Sequence, residues 1–190
     1  EIVSRDWSSD VCSSDLPYIF FQGHLMFKKL ILILGLLVSF QAMSDGDLFD
    51  EHFNDYSENL SDAQDANKKG VFVFFFMDDC PFCQKMERQV LNQPDVIKYF
   101  KTHFLNYKIN TNSNLELVDF DGNDTVERVF AKKHNRIGAT PVLAFFDLKG
   151  NRVVRRTGFA NQEDFLLLAK FMVEDAYLEE KFIRYKRKNR

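Results

Sequence analysis

Cysteine is scarce in this chain: 3 occur among 190 residues, and only Cys80 and Cys83 stand together. So few exclude a disulfide-stapled framework, and without a second Cys-x-x-Cys they supply only half of a tetrahedral zinc shell. Histidine does not complete one, because His52, His103 and His134 lie apart without ligand spacing and read as surface or helix-end residues. No structural metal is therefore expected. Asp119, Asp121 and Asp124 lack the bidentate glutamate and further oxygen ligands of a calcium loop, and they read as turn and cap residues. The apolar run over residues 30–40 falls short of the ~20 residues of a membrane span. No charge of one sign dominates, the net being −3, so the basic surplus that attracts nucleic acid is missing.

Residues 26–44 read as a secretory signal: Lys28 and Lys29, the apolar run, then small Ala42 and Ser44 ahead of Asp45. No cysteine lies near that cleavage point, so no lipid anchor is expected. Within residues 1–25, DWSSDVCSSDL looks like the translation of a sequencing-library adapter and FQGH like the scar of a cleavable tag. That segment is set aside, and Cys12 with it. What remains is a single domain over 45–180 and a basic tail over 181–190, the tail reading as a solvated helix end favoured by the helix dipole. A secreted domain whose cysteines are Cys80 and Cys83 uses them for catalysis or metal rather than as a staple.

The stretch around them is VFVFFFMDDCPFCQK, residues 71–85. An unbroken aromatic and β-branched run over 71–76 is the pattern of a strand buried on both faces. After Cys83, apolar Met86, Val90 and Leu91 fall at helical spacing. A strand thus runs into a helix whose first turn holds Cys80, Pro81, Phe82 and Cys83. Free N–H groups and the positive dipole end favour a thiolate at Cys80, and proline suits a turn that needs no donor from it. Such settings lower a cysteine pKa from about 8.5 to roughly 3.5 to 7.5.

Elsewhere, residues 45–67 carry apolar positions for one or two amphipathic helices, with Gly70 expected as the helix C-cap. A short helix is expected from Pro94 through Phe100 and a strand over 104–110. The loop over 111–124 ends in a helix start, Asp124 and Glu127 standing at capping-box spacing. Strands follow over 142–147 and 152–157, joined by a turn at Lys149, Gly150 and Asn151. A closing helix is capped by Asn161, with Phe165, Leu166, Leu168, Ala169, Met172 and Val173 inward. These elements make an α/β fold with a central sheet of mixed direction flanked by helices.

The strand-CPFC-helix unit, with GATP followed by VLAFFD further on, resembles the thioredoxin superfamily over roughly residues 60–180. Secreted single-domain thioredoxins of the bacterial envelope associated with sulfur oxidation are similar through DDCPFC, VDFDG and VLAFFDLKGN. The resemblance implies the thioredoxin fold, with an extra N-terminal helix and the loop over 111–124 as an insertion. It also implies a periplasmic location, a redox-active Cys80–Cys83 disulfide in place of any cofactor, and a cis-proline at Pro141.

In the exchange chemistry so implied, Cys80 attacks a substrate disulfide and Cys83 resolves the mixed disulfide. Phe82, Thr140 and Pro141 are the expected substrate-binding residues, the latter two pairing with an extended segment. The family's buried carboxylate on the preceding strand is replaced by Phe74. Asp78 and Asp79 are the candidate modulators of the thiol, relaying its proton through water while opposing the thiolate charge. That opposition, and the lack of a histidine between the cysteines, point to a reductase rather than a strong oxidant. Its partners would be a disulfide-containing protein or small thiol and a membrane electron-transfer protein as reductant. A disulfide isomerase, or a binding or chaperone module with an idle disulfide, is the alternative; most of the 21 phenylalanines are explained by core packing.

Overall fold

The computed structural model describes residues 46–51, 54–135 and 138–190. The expected secretory segment, the residues set aside before it and His52 lie outside the described residues. The described part is an α/β fold with a central sheet of mixed direction. Its order is α1 (Tyr56–Asp65), β1 (Gly70–Phe76), α2 (Pro81–Met86), α3 (Pro94–His103), β2 (Phe104–Asn110), β3 (Glu116–Val118), β4 (Asp124–Val126), α4 (Glu127–His134), β5 (Val142–Phe146), β6 (Arg152–Thr157), α5 (Gln162–Val173) and α6 (Phe182–Lys188). Among the described residues no helix is long and apolar enough to cross a membrane.

The main sheet runs β2-β1-β5-β6, with β1 parallel to β2 and antiparallel to β5. Being internal, β1 is covered on both faces, which is why its sequence shows no polar alternation. Phe72 and Phe74 pack with the cysteines, α2, α3 and α5 on one face, while Val71, Val73 and Phe75 pack with α1 and α4 on the other. Each fully buried side chain of this size contributes about 1.5 to 3 kcal/mol relative to exposure. The edge of β2 is strapped by the N-terminal segment: Asp50 donates its N–H to the Asn106 carbonyl at 2.8 Å and accepts the Asn106 N–H on its carboxylate at 2.8 Å.

Several local expectations are corrected. Gly70 opens β1 instead of capping α1, which ends four residues earlier with Ala66 as its C-cap. The glycine is required there because a Cβ would overlap the Phe146 carbonyl oxygen across the sheet. Asp124 is a strand residue and not a cap. The N–H groups of Glu127 and Arg128 donate instead to the carbonyls of Leu115 and Ser113, at 2.9 and 3.0 Å, so α4 needs no side-chain cap. The insertion is a β3-β4 hairpin whose turn is organised by Asp119. Its carboxylate accepts from the N–H groups of Asp121 and Asn123 and from Lys133.

The basic tail is not a solvated end. It folds as α6, whose Phe182 and Tyr185 pack on Phe171 at ring distances of 5.5 and 5.1 Å. Lys186 and Arg190 reach the buried carboxylate of Asp164 at 2.6 and 3.2 Å, and Arg156 approaches it at 3.7 Å. Because α6 covers a second face of α5, Leu167 and Phe171 are buried there, while Leu166 and Val173 are only partly so. A charge-rich segment looked solvated in sequence because its counter-ion, Asp164, lies 22 residues upstream of Lys186.

Candidate active site

The end of β1 delivers the chain to a bend at Asp78 and Asp79, and α2 starts at once. Cys80 is the N-cap of α2 and keeps extended dihedrals, φ −116° and ψ 101°; Pro81 occupies the first turn, where its missing N–H costs nothing. The Cys83 N–H donates to Cys80 Sγ at 3.1 Å, so the sulfur takes the place that a serine or aspartate oxygen fills in an ordinary cap. Cys80 and Cys83 are joined as a disulfide with Cα atoms 5.2 Å apart.

A second donor arrives from far along the chain. The Thr140 hydroxyl donates to Cys80 Sγ at 3.3 Å across a separation of 60 residues. The Thr140–Pro141 bond is cis. Two contacts seat this bend: Asn135 Nδ2 donates to the Ala139 carbonyl at 2.6 Å, and the Gly158 N–H donates to the Pro141 carbonyl at 2.8 Å. Neither Asn135 nor Gly158 stood out in the sequence, since both act by holding backbone.

Exposure separates the two cysteine residues only slightly, Cys80 being 5% and Cys83 2% exposed. Phe82 between them is 61% exposed, a large apolar surface beside the disulfide. Lys85 lies over the Phe159 ring at 4.5 Å, linking α2 to the loop after β6. Asp78 and Asp79 are both exposed, and Asp78 accepts from Asn110 Nδ2 at 2.9 Å, so its charge is turned toward the end of β2. Solvent screens such exposed charges, which weakens their opposition to a thiolate.

Behind the cysteines, Phe74 is fully buried and stacks with Phe49 and Phe76 at 6.0 and 6.2 Å. Among the described residues the buried carboxylates are Asp119, Glu127 and Asp164. Asp119 serves the hairpin turn and Asp164 the α6 helix. Burial raises the Glu127 pKa against hydrogen bonds from the Ser113 side chain and the Asn110 backbone. None stands on β1. Among the described residues no group of His, Cys, Asp and Glu side chains is placed to hold a metal ion. A disulfide capping a helix, a hydroxyl donor against its outer sulfur and an exposed aromatic beside it form a site suited to thiol-disulfide exchange.

Comparison with known proteins agrees with this architecture. A family model described as a thioredoxin-like domain matches residues 56–172. No curated protein sequence matches the chain. A thioredoxin-fold protein from Helicobacter pylori is similar in structure, with TM-score 0.58 and 19% identity, over 78% of this chain and 97% of that one. A candidate disulphide-isomerase from Bacteroides thetaiotaomicron is similar with TM-score 0.54 and 28% identity, over 74% of this chain and 100% of that one. A DsbH oxidoreductase matches with TM-score 0.50 and 18% identity, over 66% of this chain and 85% of that one.

Proposed function

The chain belongs to the thioredoxin-like domain family, and on that premise we propose that it is a periplasmic thiol-disulfide oxidoreductase that reduces disulfides at Cys80 and Cys83. The observation that carries this is the convergence of two donors, the Cys83 N–H and the Thr140 hydroxyl, on Cys80 Sγ. Donors aimed at one sulfur stabilise negative charge there, and the thiolate is the nucleophile.

In the reduced protein the Cys80 thiolate attacks one sulfur of a substrate disulfide, forming a mixed disulfide and expelling the other substrate sulfur as a thiolate. Cys83, deprotonated, then attacks Cys80 Sγ, which releases the second substrate thiolate and closes the Cys80–Cys83 bond. Two electrons pass from the protein dithiol to the substrate, and its two thiol protons go to solvent or to the departing thiolates. With Phe74 on β1, the Cys83 proton leaves through water rather than to a buried carboxylate. A membrane electron-transfer protein would return the two electrons.

Reduction is favoured over strong oxidation because no histidine separates the cysteines, the screened aspartates before them adding little. The same mixed-disulfide step would serve isomerisation, the activity in the description of the 28% identical Bacteroides neighbour. In the test, insulin disulfide reduction with dithiothreitol as electron source is expected to vanish in Cys80→Ser. The Cys83→Ser variant is expected to accumulate a mixed disulfide visible by mass. Failure of both outcomes overturns the proposed exchange activity, and equilibration with glutathione separates reductase from isomerase.

A further inference from the structure

A pocket of about 320 Å³ that the exchange chemistry does not use is lined by residues two or three positions from the site along the chain, Met77 before Cys80 and Gly138 before Thr140. Its wall includes Met77, which precedes the Asp78-Asp79 bend, and Gly138, which precedes Ala139 and Thr140. At most about 3.6 Å per residue, the three-residue step from Met77 to Cys80 puts this wall within roughly 11 Å of the cysteine. Arg128 and Lys132, on one face of α4 at i and i+4, supply two cations to the same wall.

Both are exposed, and among the described residues neither side chain takes part in an ion pair or a hydrogen bond. Their neighbour Lys133 behaves differently, being drawn to Asp119 and Asp121 at 3.2 and 2.8 Å. Asp78, the carboxylate next to Met77 of the wall, is held by Asn110. Like charges at i and i+4 repel, and an anion placed between them removes that repulsion. The rest of the lining is mixed, with Asn112 and Thr111 polar and Met77 and Ala131 apolar, as an extended peptide with one acidic side chain would require.

We propose that this pocket selects disulfide-bearing peptide segments that carry Asp or Glu two or three residues from the reacting cysteine, with Arg128 and Lys132 binding the carboxylate. The proposal rests on the exchange activity proposed above and names its substrate class. Extended chain advances ~3.3 Å per residue, so two or three residues cover roughly 7 to 10 Å, comparable with the upper bound on the step from Cys80 to the Met77 wall.

The test uses the full chain, reduced and freed of reductant, in single turnover with two synthetic peptide disulfides. They are identical except for Glu or Gln two residues to either side of the cysteine. Each reaction moves two electrons from the Cys80–Cys83 dithiol to the peptide disulfide and yields two peptide thiols. The Glu peptide is expected to react about 3- to 10-fold faster at low salt, the range of one or two exposed ion pairs, and the ratio should shrink toward one at high salt. Arg128→Gln with Lys132→Gln brings the ratio to about one, and Arg128→Glu with Lys132→Glu inverts it. Equal rates in the unmodified protein, or a ratio that survives both double variants, overturn the proposal. If neither peptide reacts at all, the exchange activity itself is refuted and this selectivity falls with it.

Discussion

Replacing Thr140 with valine keeps the β-branched shape and removes one hydroxyl, the donor that meets Cys80 Sγ at 3.3 Å. A hydrogen bond to a charged acceptor contributes about 1.5 to 3 kcal/mol. The distance is long and Thr140 is only half-buried, so the low end applies. With about 1.4 kcal/mol per factor of ten, the thiolate population below the titration midpoint falls about tenfold. A less stabilised thiolate is the better nucleophile, and a Brønsted slope of about 0.4 to 0.5 returns about threefold of that loss. The reduced variant should therefore attack a small aromatic disulfide roughly three- to fourfold more slowly where the thiol is mostly protonated.

The sign reverses at high pH, where both proteins are fully ionised. There the variant becomes the faster one, and its midpoint lies at higher pH because the charged form has lost a donor. Stopped-flow absorbance across pH measures both limbs, and Thr140→Ser, which keeps the donor, should follow the unmodified protein. Superimposable profiles for Thr140→Val and the unmodified protein would refute the role assigned to this hydroxyl. So would a serine variant that behaves like valine.

Two stability predictions follow from buried charges. Burial raises the Asp164 carboxyl, but Lys186, Arg190 and Arg156 outweigh it and hold the group below its ordinary 3.8. Its contribution is present above that pH and is lost as pH falls through the folded value. Asp164→Asn should cost about 1 to 3 kcal/mol at neutral pH in urea unfolding, discounted from a fully buried pair because the cations are partly exposed. A deficit equally large at pH 3 would show that ion pairing is not its cause. His134 is held neutral, its pKa lowered from 6.5 to about 4 by burial and then by Arg152 and Lys133. Its Nε2 is buried without a hydrogen-bond partner, and its ring lies against Phe130 and Phe146 at 4.6 and 4.9 Å. The unfolded chain binds a proton there more readily, so stability falls as pH drops from 6.5 toward 4. His134→Leu should flatten that slope and leave stability at pH 8 little changed; an unaltered slope would count against it.

Composition and order were enough to reach the family and the redox pair. The unbroken apolar run over 71–76, the Cys-x-x-Cys after it and the Thr-Pro before VLAFF carry local signals that survive without coordinates. Strand β2 and β6 were readable to the residue because their patterns lie on one element each. The role of Gly70 was not, since the Phe146 carbonyl that excludes a side chain belongs to a strand 76 positions away. Nor was the start of α4, whose first donors are satisfied by backbone carbonyls of the preceding loop, leaving no side-chain cap to recognise.

At the site, sequence determined which atoms could react, and only the tertiary structure decided what surrounds them. The Thr140 hydroxyl against Cys80, Asn110 turning Asp78 aside and Asn135 holding the bend are contacts between residues 4 to 60 positions apart. Local propensity acts over a few neighbours along the chain. The charge environment of a sulfur is set by whatever the sheet brings within a few ångströms, and that follows from how β1, β2 and β5 pair.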